Sequence, residues 1–190
     1  MAGRISWWWS PWWTVVASLV PVTLALWSAT PPGGYLGPWL LACGLTLLVI
    51  TAWLIMAVVA VIVLPRPRLR HAVRLWPFLL VPALLGAGTM VVGSGSVPRA
   101  AFDAHRSSLE ALATEVAPNQ RVEDRRVGLF TVDVSADRPD GCTLLTVEDA
   151  GMFSTGGWAY CPDRVPVSAQ GDGYKFATFE GPWYEYWFEW

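Results

Sequence analysis

Few side chains in this sequence are arranged for catalysis. His105 has Asp103, Ser107 and Ser108 beside it, an acid, an imidazole and two hydroxyls. Acyl transfer uses those three group types, but it needs a nucleophile held on a sharp turn with a base aimed at it. No nucleophile elbow, His-Glu-x-x-His or phosphate loop is present. At helical spacing, His105, Arg106 and Glu110 flank an apolar stripe of Phe102, Leu109, Leu112, Ala113 and Val116. They read as the polar border of a packed helix, and a hydrolase is the least favoured function.

Metal chemistry fares no better. Cys142, Cys161 and His105 contain no close ligand pair, and Asp163 with Asp172 lacks the spacing of a calcium loop. No metal or cofactor is expected. The two cysteines fit a bridge instead. If Cys142 to Glu148 and Thr155 to Cys161 pair as a hairpin around Asp149 to Ser154, opposed residue numbers sum to 303. Leu145 then faces Trp158 and Cys142 faces Cys161. Directly opposed residues lie about 4.5–5.5 Å apart at Cα, within disulfide reach. A Cys142–Cys161 disulfide is therefore predicted, and it requires an oxidising compartment. Cys43 is left over as a small apolar packer.

The candidate binding surface is aromatic. Tyr174 to Phe179 and Trp183 to Trp190 read as paired strands whose numbers sum to 362, so Tyr174 faces Phe188, Phe176 faces Tyr186 and Thr178 faces Tyr184. That aromatic set is expected under the helix. Trp183, Glu185, Trp187 and Glu189 are then expected on the outer face, where exposed indoles anchor a protein partner or stack on a sugar. Cover by a loop or by the membrane surface is the competing reading.

These groups sit on a chain of two chemistries. Of 190 residues, 54% are hydrophobic, 13 are Trp, and the mean hydropathy is +0.39. An integral membrane protein fits this better than a soluble domain. All 15 acidic residues lie between Asp103 and Glu189, and the residues from position 97 onward carry seven Arg and Lys175 against them. The residues before position 97 carry only Arg4, Arg66, Arg68, Arg70 and Arg74. An acidic outer part argues against nucleic acid as a partner.

Arg66, Arg68, Arg70 and Arg74 stand in a short proline-stiffened loop between apolar runs and act as a topology signal. Such a cluster stays in the cytoplasm beside anionic lipid. Spans are predicted at 13–29, 39–64 and 75–93, making residues 1–93 a membrane domain. The second is about 39 Å long as a helix and must tilt. Trp7, Trp8, Trp9, Trp12 and Trp13 read as interfacial anchors, and Trp27-Ser28-Ala29 makes a poor cleavage site, so an uncleaved anchor is expected. No charged residue lies inside a span, which argues against a self-sufficient channel or transporter.

A flexible joint at 94–97 leads to an outer α+β domain at 98–190, one helix laid on a five-stranded antiparallel meander. The expected protein is multi-pass in the cell membrane, with its amino terminus cytoplasmic and its carboxyl-terminal domain extracytoplasmic. The bilayer and a protein partner are the expected contacts. The expected function is a non-enzymatic binding or bracing domain; the alternative is an accessory subunit of a larger membrane complex.

Overall fold

The computed structural model describes residues 12–63, 76–151, 154–167 and 173–189. The four arginines of the topology signal, Arg66, Arg68, Arg70 and Arg74, lie outside the described residues, as do Trp7, Trp8 and Trp9. The chain divides into two compact units, one of Met1–Trp27 with Pro38–Ser94, the other of Ser28–Gly37 with Gly95–Trp190.

The first unit is helical: α1 (Trp12–Ser28), α2 (Leu36–Val63) and α3 (Trp76–Gly93). All three are apolar around their whole circumference, and large side chains such as Val16, Leu47, Ile62, Leu79 and Met90 are exposed. A helix of that kind needs an apolar surrounding. One helix, over Leu36–Val59, is long and apolar enough to cross a bilayer; the count is two if Phe78–Gly93 and Ser96–Glu115 are taken as one broken span. The 17 residues of α1 make about 25 Å of helix, short of the roughly 30 Å hydrocarbon core by about one turn. Packing supplies what proline removes. Pro82 in α3 has no N–H for the Phe78 carbonyl, and the Trp53 indole of α2 donates to that oxygen at 2.9 Å instead.

The second unit is α4 (Ser96–Glu115) and an antiparallel sheet: β1 (Arg121–Val127), β2 (Phe130–Ser135), β3 (Thr143–Val147), β4 (Ser154–Tyr160), β5 (Tyr174–Glu180) and β6 (Trp183–Glu189). Six strands replace the five expected, in the order β1-β2-β3-β4-β6-β5. The extra strand, β1, hides in the sequence because it holds five charged residues among seven, RVEDRRV, and a bulge between Val122 and Arg125. A plain meander is corrected as well: the chain leaves β4, runs out to the sheet edge as β5, and returns as β6 between them.

Both predicted registers stand in the sheet. Leu145 pairs with Trp158, Phe176 with Tyr186 and Thr178 with Tyr184. The core lies between α4 and one sheet face, where Phe102, Leu109, Leu112 and Ala113 meet Phe130, Val132, Val134, Leu145, Trp158 and Trp183. The expected flexible joint is two residues long: Ser94 bonds back to Met90 and Val91, and Gly95 takes a left-handed conformation at φ 67°.

The candidate binding faces

The indole and carboxylate set expected outside faces α4. Glu185 pairs with Trp158 and Trp183 with Tyr160, so strand alternation puts Trp183, Glu185 and Trp187 on the helix-covered face. Trp183 is 0% exposed, its ring 5.1 Å from Phe102 and 4.9 Å from Tyr160. The expectation of an outer Trp/Glu face is therefore corrected. Aromatic bulk on the neighbouring residues suggested the wrong face; β4 decides, because Trp158 belongs with Phe102 and Phe130 at 5.6 Å and 5.1 Å.

Glu185 is half-buried there. Burial pushes its carboxyl above the usual range, and the charge of Arg99 opposes this in part. The indole N–H groups of Trp158 and Trp183 are buried with no hydrogen-bond partner among the described residues. Glu189 ends β6 opposite Ser154, and its side chain lies outside the described residues.

Trp187 is covered by a segment expected to be only a turn between spans. Ser28–Gly37 forms a strap on this face. Gly151 donates its N–H to the Gly34 carbonyl at 2.8 Å, and Tyr35 bridges Ala150 in antiparallel fashion. Pro31 and Pro32 are buried. The fit depends on glycine: a methyl group on Gly156 would stand 2.7 Å from the Pro32 carbonyl oxygen, and one on Gly33 would stand 3.8 Å from Trp187 Cδ1. Burial raises the Tyr35 phenol above its ordinary value, with Asp149 and Glu148 adding to the shift.

Within this unit, no helix covers the opposite sheet face among the described residues, since α4 packs on the first. Tyr174, Phe176, Tyr184 and Phe188 stand half-buried around Tyr186, whose hydroxyl bonds Thr146. Burial drives the Tyr186 phenol far up, partly countered by that bond. The Cys142–Cys161 disulfide lies under this cluster, joining the start of β3 to the end of β4. Arg138 holds the rim. Its guanidinium lies 4.8 Å and 5.1 Å from the Tyr174 and Phe176 ring centres, pairs with Asp140 at 2.9 Å, and donates to the Val167 carbonyl at 3.1 Å. Burial alone would raise the Asp140 carboxyl; the Arg138 bonds and the Cys142 N–H outweigh it and bring it below the usual value. This Arg-Pro-Asp-Gly turn was legible as a turn, but its role as an aromatic clamp depends on the loop that crosses back to it.

The remaining chemical candidates are taken up by packing. His105 lies against Gly128 and stands edge-on to Phe130 at 5.7 Å, while Ser107 and Ser108 are exposed on α4. No group of metal-binding side chains occurs among the described residues, and Asp172 lies outside them. In the helical unit, an apolar groove of 530 Å³ runs between α1, α2 and α3, floored by Ala25, Ala42, Cys43 and Gly88. Comparison with known protein families, with curated proteins and with solved structures finds no match to this chain.

Proposed function

We propose that the chain is a membrane-anchored protein of three spans presenting a disulfide-stapled, non-enzymatic binding or bracing domain outside the cytoplasm. The strap carries this reading. Ser28–Gly37 folds into one unit with Gly95–Trp190, so both must occupy one compartment. Between them the chain runs through the apolar α2 and α3, an excursion that starts and ends on the same side. α1 then enters from the opposite side. Indoles at both ends of α1, Trp12 and Trp27, and at the starts of α2 and α3, Trp39 and Trp76, suit two interfacial belts. The short α1 is accommodated by local thinning of the bilayer. The disulfide favours the oxidising side for the domain, and four arginines favour the cytoplasm for the loop between α2 and α3.

The surface offered to a protein partner is then the open sheet face of Tyr174, Phe176, Tyr184 and Phe188, in place of the indole face that α4 and the strap occupy. Aromatic residues in a polar surround are the common anchors of such contacts.

The test is thiol labelling in intact cells. In a Cys43→Ala background, an impermeant maleimide should label Val165→Cys from outside and Arg70→Cys only after lysis. Labelling in the reverse order overturns the orientation.

The helical groove favours a second reading, an accessory subunit whose partner helix lies along Ala42 and Cys43. Small residues let helices approach closely. Filling the groove with Cys43→Leu should then strip a stoichiometric partner from the detergent-solubilised protein; unchanged co-purification counts against it.

A further inference from the structure

We propose that β5 joins a second copy of the chain, strand to strand, across a two-fold axis at Ala177. This goes beyond the preceding reading and does not depend on which compartment holds the domain.

The two edges of the sheet are built differently. β1 carries Arg121, Glu123, Asp124, Arg125 and Arg126, with a bulge that turns Asp124 to φ 55°. Charge and a bulge are the usual means by which an edge strand avoids pairing with another chain. β5, at the other edge, reads YKFATFE, with no proline and charge only at Lys175 and Glu180. Its inner side is bonded to β6 along its whole length, and among the described residues no strand pairs with its outer side.

The charges of β5 are self-complementary. Its bulge lies between Thr178 and Glu180, so Lys175, Ala177 and Glu180 share one face, opposite Trp187, Glu185 and Trp183 of β6. An antiparallel copy related by an axis normal to the sheet at Ala177 sets Lys175 against the partner's Glu180, and Glu180 against the partner's Lys175. It also sets Phe176 against the partner's Thr178, twice. Such a contact is isologous, the commonest form of homodimer. Without the bulge, the two charges would fall on opposite faces and could not meet. Glu180 already receives Arg106 on one carboxylate oxygen at 2.7 Å, yet it is 53% exposed and keeps its second oxygen for a lysine. Exposed ion pairs contribute little affinity; here they select the register, while backbone hydrogen bonds hold the strands. The joined sheet would carry one continuous open face, with Tyr174 and Phe176 of both copies at its centre.

The geometry gives a direct test, because residues opposed across an antiparallel pair have Cα atoms about 4.5–5.5 Å apart, within disulfide range. In the full chain in native membranes, with Cys43→Ala so that the introduced thiol is the one free thiol, Ala177→Cys should oxidise to a species of twice the 20.9 kDa chain mass. Glu123→Cys on the β1 edge should not. Adding Lys175→Glu to Ala177→Cys should cut the cross-linked fraction several-fold, and adding Glu180→Lys as well should restore it, because the exchanged charges again oppose. A monomeric Ala177→Cys, equal cross-linking of Glu123→Cys, failure of the exchange to restore, or an adduct of another protein's mass each overturns the proposal. Before oxidation, the thiol count after denaturation without reductant should be one per chain if each variant has kept its native bridge.

Discussion

Removing the Cys142–Cys161 bridge tests the α+β domain most sharply. The cysteines are 19 residues apart, and closing a loop of that length removes about 11 cal/mol/K from the unfolded chain, or about 3 kcal/mol at 25 °C. Alanine is the right replacement: both positions are buried, at 1% and 4% exposure, and a serine hydroxyl would add the cost of an unpaired polar group. The loss should appear as a fall of about 1–3 M in the urea midpoint, given the usual slope for small domains of 1–3 kcal/mol per molar. Pulse proteolysis of the detergent-solubilised protein reads this midpoint without interference from the helical unit. Reducing the wild-type chain should give the same shift as Cys142→Ala with Cys161→Ala, since both act on the same loop. Before reduction, the denatured chain should titrate one thiol, that of Cys43, and afterwards three. A midpoint shift under about 0.5 M, or three thiols without reductant, would refute the reasoning.

Three further outcomes follow from single contacts. Glu185 has a raised folded-state pKa, so its ionisation works against the fold; its favourable contribution is full below the ordinary glutamate value and is lost as pH rises through the folded pKa. Glu185→Gln should therefore raise the melting temperature at pH 7 and progressively less as pH approaches 4, and a gain that is flat with pH would rule the account out. Trp53→Phe leaves the Phe78 carbonyl without its donor and should weaken the helical unit by about 0.5–2 kcal/mol, measured by unfolding in a denaturing detergent titration. Gly128→Ala forces a side chain into a left-handed backbone at φ 58° and places its methyl carbon 2.2 Å from the His105 ring. The conformation alone costs about 1–2 kcal/mol. His105→Ala should recover part of the loss in the double variant if the ring is the obstacle, and a melt no better than that of Gly128→Ala would show that it is not.

Pairing in this sheet was easier to read than facing. The sums of 303 and 362 follow from turn chemistry and alternation, which are local, and the sheet keeps both. Which side of β6 meets the helix is not local. Both faces of β6 are aromatic, Trp183 and Trp187 on one and Tyr184, Tyr186 and Phe188 on the other, so hydrophobic pattern cannot choose between them. The choice is made by β4, where Trp158 stands on one face and Gly157 and Ala159 on the other. A β4–β6 pairing brings Trp183 beside Trp158; the simple meander omits it. The charged β1 was missed because it is held by its backbone pairing with β2, and not by an apolar face. The α4 stripe was the most legible element, because a 3.6-residue period fixes a buried face from a single segment.

The strap changes what the α+β domain is. A carboxyl-terminal piece beginning at Gly95 would lack the residues that cover Trp187 and hold Ala150 and Gly151, and it would expose the back of β4 where Gly156 receives Pro32. Gly156 has room for no side chain in the presence of the strap, and its backbone conformation does not call for glycine, since it is not among the positive-φ positions. The residue is explained by the approach of a segment more than a hundred positions earlier in the chain. The strap and the sheet are therefore specified together. Residues in β4 are chosen for a turn between α1 and α2, so completion of this domain waits for a strand that is synthesised after all the apolar helices.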